Sequence, residues 1–383
     1  MCSLNSERDM KMNKIIIRFI GLLVVLFAIS VFATPNNAAS QSCTPKFEQT
    51  PPWLGSDIAS SIPLPDGRNV WLFGDTLYGD KRVVNGDDPQ MVNNSIAVST
   101  CKKGKWDIRY TIRRAPDGNF VSFFRPQHAN TWYWPLDGLY YKGDLWVTLL
   151  CERAAPKGNA FALGFEACGA DLARITGISN PDPQKWKVEY FQLVPDGAKS
   201  YPTATAVIHD GHIYLFSMNE VGKRPLVATR VPLSGLNEPR KNLQYLAADG
   251  SWKPGFDPKN AKPVMAKGTT ELSIRYHRKV NKWVAVMMGP EHPTDRVIFR
   301  TADNLLGPWT DGETIYRFPE MKTDAPGYDP DVMCYAAKEH PQFEKPGELV
   351  FTYVCNSLKP AKLVPLSHIY YPQTVRQPMP PVN

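Results

Sequence analysis

The chain has 383 residues, 43% hydrophobic and 21% charged, a globular balance with enough apolar surface for a sizeable core rather than a disordered tract. Its formal charge of +7 is thinly spread. Lys102-Lys103-Gly104-Lys105 and Arg113-Arg114 are the densest basic clusters, and no basic stripe interleaved with aromatics is present, which argues against a nucleic-acid partner.

At the amino terminus, Arg8, Lys11 and Lys14 precede an apolar run over 15–33, interrupted by Arg18 and Ser30. Val31-Phe32-Ala33 carries small residues where a signal peptidase reads, so cleavage is expected after Ala33. The uncharged part, 19–33, is shorter than the ~18–20 residues of a spanning helix. The expected organisation is a signal peptide over 1–33, a linker over 34–46 and one folded domain over 47–383. The expected location is secreted or periplasmic. An uncleaved anchor is the alternative, and would be the only contact with a membrane.

The first strand pair is read at 56–64 and 70–78 around the turn Pro65-Asp66-Gly67-Arg68, flanked by β-branched and aromatic residues. Folding about that turn sets Asp57 opposite Asp75 and Thr76. Four more hairpins repeat the plan: a polar residue at the strand start, an apolar run, a turn and an apolar strand. Taking Asp57, Asp137, Thr203, Glu271 and Asp331 as equivalent positions gives spacings of 80, 66, 68 and 60 residues. About four short strands per repeat, with 35 prolines and 26 glycines for turns and no sustained helical period, predicts an all-β, five-bladed β-propeller. The piece 367–371 is expected to help close the ring against the amino-terminal strands.

Cys2 leaves with the signal, and six cysteines remain. The midpoint of Cys334 and Cys355 falls at 344.5, and that of Cys151 and Cys168 at 159.5; each lies in a predicted hairpin loop. Both pairs are therefore expected as cross-strand disulfides, leaving Cys43 with Cys101.

Inner strands of a propeller start on one face, so the five equivalent positions should ring one mouth. Four of them are acidic: Asp57, Asp137, Glu271 and Asp331, with Asp75 beside the first. Crowded carboxylates repel, which spreads their pKa values and keeps a proton on one of them near neutrality. Glycoside cleavage needs that pairing of acid and base. Each aspartate is also at home as a turn or strand-end residue; their convergence carries the reading. Trp53, Trp132, Trp134 and Tyr201 offer flat faces to a sugar, whereas Trp71, Trp146 and Trp283 read as core. Arg275 and His277 alternate onto the face of Glu271 and are expected, with Asp331, to bind substrate. There is no Gly-x-Ser-x-Gly elbow, His-Glu-x-x-His helix, phosphate loop or Cys-x-x-Cys. Asp87-Asp88 and the Asp329, Asp331 pair supply too few oxygens for calcium. No metal or cofactor is expected.

Gly55-Ser56-Asp57, followed by Val70-Trp71-Leu72-Phe73-Gly74-Asp75-Thr76, resembles the opening blade of a bacterial propeller family, some of whose members cleave D-arabinan in mycobacterial cell walls. More distantly the chain is similar to the five-bladed arabinanase and β-xylosidase families, and Thr301-Ala302-Asp303-Asn304-Leu305-Leu306-Gly307-Pro308-Trp309 resembles one of their outer-blade segments. That resemblance implies a base at Asp57, an orienting aspartate at Asp137 and an acid at Glu271. The arabinanase pattern lacks the aspartate of Phe-Gly-Asp-Thr, so Asp75 competes with Asp137 for the second essential role. The expectation is an exported glycoside hydrolase acting on a furanose- or pentose-containing polysaccharide or oligosaccharide. The alternatives are a non-catalytic carbohydrate-binding propeller and a protein-binding one.

Overall fold

A computed structural model describes residues 43–82, 89–155, 164–291 and 293–382; the expected signal peptide, most of the linker and Asp87-Asp88 lie outside them. From Trp53 onward the chain forms five antiparallel sheets in succession, each begun by an inner strand that hairpins outward. The first blade orders Trp53–Pro63, Arg68–Tyr78, Ser95–Lys102 and Lys105–Thr111. The second orders Thr131–Tyr141, Asp144–Ala154, Phe165–Thr176 and Lys187–Val194. The third runs Thr205–His209, His212–Met218, Leu226–Pro232, Gln244–Leu246 and Trp252–Pro254. The fourth runs Leu272–His277, Lys282–Met288, Arg296–Ala302 and Glu313–Arg317, and the fifth Val332–Glu339, Glu348–Ser357 and Gln373–Pro378.

The inner strands pack in cyclic order, first on second through to fifth on first, so the ring is closed. The fold is a five-bladed β-propeller. Apolar side chains that alternate along the strands meet between blades and make the core. Ile62, Val70 and Leu72 meet Tyr133, Val147 and Leu149 between the first two blades. Leu172 meets Leu215 at the next interface, Phe216 meets Ile274, and Val286 meets Phe351. Trp71 and Phe73 close the circle against Phe343 and Val350.

The first hairpin turns as its sequence dictates. Leu64 donates to the Arg68 carbonyl at 2.8 Å, Gly67 takes φ +85°, and Asp66 accepts from the Arg68 N–H. The cysteines pair as Cys43–Cys101, Cys151–Cys168 and Cys334–Cys355. The last two pairs bridge neighbouring strands of one blade, as the midpoints required.

The carboxyl-terminal segment closes the ring in two ways. Residues 373–378 add a third strand to the fifth blade, whereas 367–371 lie against the first blade as a loop, not as a strand. Gln49 donates to the Ser367 carbonyl at 2.9 Å. Gly55, at φ +151°, lies so close to the Tyr370 carbonyl that a Cβ there would stand 2.2 Å from its oxygen. Among the described residues no helix is long and apolar enough to cross a membrane.

Three inner strands are irregular. Pairing slips by a residue around Asp57, again between Pro135 and Asp137, and again between Tyr335 and Lys338. Such bulges bend a strand and re-aim its side chains.

Candidate active site

Asp57 sits in the first of these bulges, followed by Ile58 and Ala59 in left-handed conformation at φ 70° and 69°. Two such residues in a row, one of them β-branched, store strain beside a polar group. The Asp57 side chain is 8% exposed, and its Oδ2 accepts from the Tyr335 hydroxyl at 2.8 Å. Its Oδ1 has no hydrogen-bond partner among the described residues and lies over Gly74, where a Cβ would come within 2.2 Å. The glycine of Phe-Gly-Asp-Thr is therefore the space that admits this carboxyl. Burial, then the charge of Asp75, push Asp57 well above the ordinary carboxylate range; Glu271 adds to the push and the Tyr335 hydrogen bond opposes it.

Asp75 is half-buried and accepts from the Trp134 indole N–H at 3.0 Å and the Asn93 amide at 3.4 Å. Burial raises it to about 6 in spite of those two donors. Glu271, immediately before the inner strand of the fourth blade, is half-buried and raised by burial; Lys338 and the Ala336 backbone oppose that rise. Asp57, Asp75 and Glu271 are thus gathered at one mouth, close enough for the first to feel the other two.

Sequence reasoning missed a fourth carboxyl there. Glu152 is 3% exposed, and one of its oxygens lacks a partner among the described residues. Burial, then Asp75, Glu220 and Glu166, push it up to about 8. It pairs across the sheet with Trp132, at the end of an apolar run where a glutamate reads as an exposed strand end. Tyr335 and Tyr370 were missed too; the latter donates its hydroxyl to the Asp75 carbonyl at 3.0 Å. Nothing in their sequence setting marks them as pointing inward.

Asp137 lies deeper, because it is the seventh residue of its inner strand and not the first. It is fully buried and accepts from Ser60 at 2.8 Å, Gly138 N at 2.9 Å, Thr205 at 2.6 Å and Ala206 N at 3.0 Å. Arg275 Nη2 reaches both of its oxygens, at 3.0 and 3.1 Å. Burial pushes Asp137 up, but Arg275 and Lys338, with the Thr205 hydroxyl, outweigh it and hold the carboxyl at about 2. It stays charged and is closed to substrate.

Arg275 is engaged there, below the mouth. His277 is lower still: six residues at about 3.3 Å each put it roughly 20 Å beyond Glu271. Its Nε2 meets Glu339 at 2.9 Å, and Nδ1 faces Glu344 at 3.9 Å. The two carboxyl groups face different ring nitrogens, and burial, then Glu339, push Glu344 up to about 9. Arg275 and His277 thus lie at successive depths along the strand that follows Glu271, engaged with Asp137 and Glu339.

The aromatic residues also divide. Trp132 and Trp134 are half-buried and meet Phe165 edge-on at 6.5 and 4.9 Å. Tyr201 is half-buried against Ile58, Leu136 and Leu150, and donates to the Ala167 carbonyl at 3.2 Å. Trp53 is a correction: it is completely buried, stacked at 4.0 Å on Tyr110, which reaches it from the outer strand of the same blade. Asp331 is engaged as well, paired with Lys359 at 2.9 Å and Lys362 at 2.5 Å, and its carboxyl is lowered by those lysines, Lys362 foremost.

A family described as Domain of unknown function (DUF5005) matches residues 43–375. No curated protein matches. Among solved structures, a candidate hydrolase from Bacteroides ovatus ATCC 8483 is 17% identical with a TM-score of 0.66, covering 85% of this chain and 86% of its own. An exo-1,5-alpha-L-arabinanase from a bovine ruminal metagenomic library is 11% identical at a TM-score of 0.44, covering 86% and 95%. A xylan beta-1,4-xylosidase from Bacillus halodurans C-125 is 11% identical at 0.46; the match covers 86% of this chain and 54% of that one. The first of these shares the propeller fold.

Proposed function

We propose, for a chain that belongs to the DUF5005 family and folds as a five-bladed propeller, that the mouth hydrolyses a glycosidic bond in a furanose- or pentose-containing polysaccharide. The observation that carries this is the gathering of Asp57, Asp75, Glu271 and Glu152, all with raised proton affinity, beside the half-buried rings of Trp132 and Trp134. Near pH 6 such a set holds both a protonated carboxyl and an ionised one. The first gives its proton to the departing glycosidic oxygen. The second attacks the anomeric carbon or takes a proton from the water that does. Asp57, Asp75 and Glu271 divide these roles, while Asp137 stays ionised below them and orients Arg275.

The indoles suit the apolar face of a sugar, with the Trp134 N–H keeping Asp75 in place. The export signal read in the sequence and the three disulfides suit an extracytoplasmic enzyme that meets such polymers.

The test is incubation with arabinans and a panel of other cell-wall polysaccharides, followed by chromatography of released oligosaccharides. The native protein should release products most rapidly near pH 6, and Asp57→Asn should lower release by at least about a thousandfold, the order expected for a reacting group. Retained binding without release by the native protein at any pH from 4 to 8 would instead establish a sugar-binding propeller.

A further inference from the structure

The inner strand of the fifth blade addresses the mouth with three successive groups. Tyr335 gives its hydroxyl to Asp57. Ala336, left-handed at φ 57°, turns its backbone towards the Glu271 carboxyl. Past the bulge, Lys338 enters beneath Glu271 and is only 1% exposed. Its Nζ donates to the carbonyl oxygens of Leu272 and Ala204, both at 2.9 Å. Leu272 directly follows Glu271, so the ammonium grips the strand that carries this carboxyl.

A buried ammonium is costly unless nearby groups compensate it. The charged groups facing Lys338 are Asp137 from the second blade, and Glu271 and Arg275 from the fourth. Asp137 already has Arg275 and four other donors, and Lys338 adds its charge to their hold. His340, just past the end of the strand, is held neutral down to about 3, by burial first. Lys338 therefore faces two carboxyls, and Glu271 is the one that it lowers without help from Arg275.

We propose that Lys338 is the positioning residue of Glu271: its buried ammonium, held by the Leu272 and Ala204 carbonyls, fixes the start of the fourth inner strand and is the positive charge set beside the carboxyl there. Lys338 itself is lowered to about 8, chiefly by burial, and so is charged wherever the mouth would work. The catalytic consequence rests on the mouth being a hydrolytic site; the electrostatic one does not.

The experiment is a carboxyl 13C NMR titration of glutamate-labelled protein, with the Glu271 signal identified by its loss in Glu271→Gln and folding checked by thermal melt. In Lys338→Met and Lys338→Gln the Glu271 midpoint should rise by about one pH unit or more, tenfold in proton affinity, while Lys338→Arg should stay near native. An unchanged midpoint in either folded neutral variant overturns the proposal. Should neither fold, Glu271→Gln reads the same coupling from the other side: the Lys338 13Cε titration should move down by a comparable amount, and an unmoved titration is equally decisive. In an active enzyme the limb of the pH–rate profile belonging to Glu271 moves with the NMR midpoint. An inactive native protein would remove the hydrolase reading and leave the titration result standing.

Discussion

Asp75 makes the cost of the mouth measurable. Its carboxyl has an ordinary value of 3.8 and rises to about 6 in the fold, mainly through burial. A raised carboxyl contributes stability that is fully present below about pH 4 and is lost as pH climbs through 6. The native protein should therefore lose stability across that window, by up to about 3 kcal/mol from this group at 1.4 kcal/mol per unit. Asp75→Asn carries no charge to desolvate and keeps a carbonyl for the Trp134 N–H. It should melt above the native protein at pH 7 and level with it at pH 4, while losing hydrolysis. A melting difference that does not change with pH would mean the carboxyl is ordinarily solvated.

Asp137 shows what the irregular inner strands achieve. One carboxylate draws donors from Ser60, Thr205 and Arg275, which belong to three other blades. Asp137→Ala would leave the Arg275 guanidinium largely buried without its anion, a loss of about 3–5 kcal/mol. Its urea midpoint should drop far below that of Asp57→Asn, whose carboxyl is held by a single hydroxyl; equal midpoints would refute the cross-blade role. The repeat itself was legible because alternation and turn chemistry are local: Asp66-Gly67 announces the first hairpin, and the cysteine midpoints give the last two bridges. Depth was not legible. A bulge is one extra residue with no composition of its own, so nothing in Pro135-Leu136-Asp137 says that the aspartate ends far below Asp57. The burial of Trp53 is equally hidden in the sequence, since its cover, Tyr110, comes from the outer strand of its own sheet. Glu152 was passed over because its setting, Leu150-Cys151-Glu152-Arg153, reads as a strand leaving the core.

At the scale of the whole ring, the fifth blade contributes three strands and leans on the first segment of the described chain. Arg376 is the fastener: it pairs with Glu348 at 2.5 Å and donates to the Cys43 and Phe343 carbonyls at 3.2 and 2.9 Å. Arg376→Ala should lower stability by about 2–3 kcal/mol, the range for charge-assisted hydrogen bonds to a partly buried group, and should make hydrogen exchange faster in Gln373–Pro378 before other strands. Exchange that rises evenly around the ring would show that closure lies elsewhere.

The tight turns ending the inner hairpins, at Asp66-Gly67, Lys142-Gly143, Asp210-Gly211 and 278–281, all fall at the end away from Asp57 and Glu271. Tethers, fluorophores or binding peptides grafted into those tips would leave the opposite entrance clear. A bead-bound version held by them could present its carboxyls to an insoluble cell-wall fragment as freely as the protein in solution does.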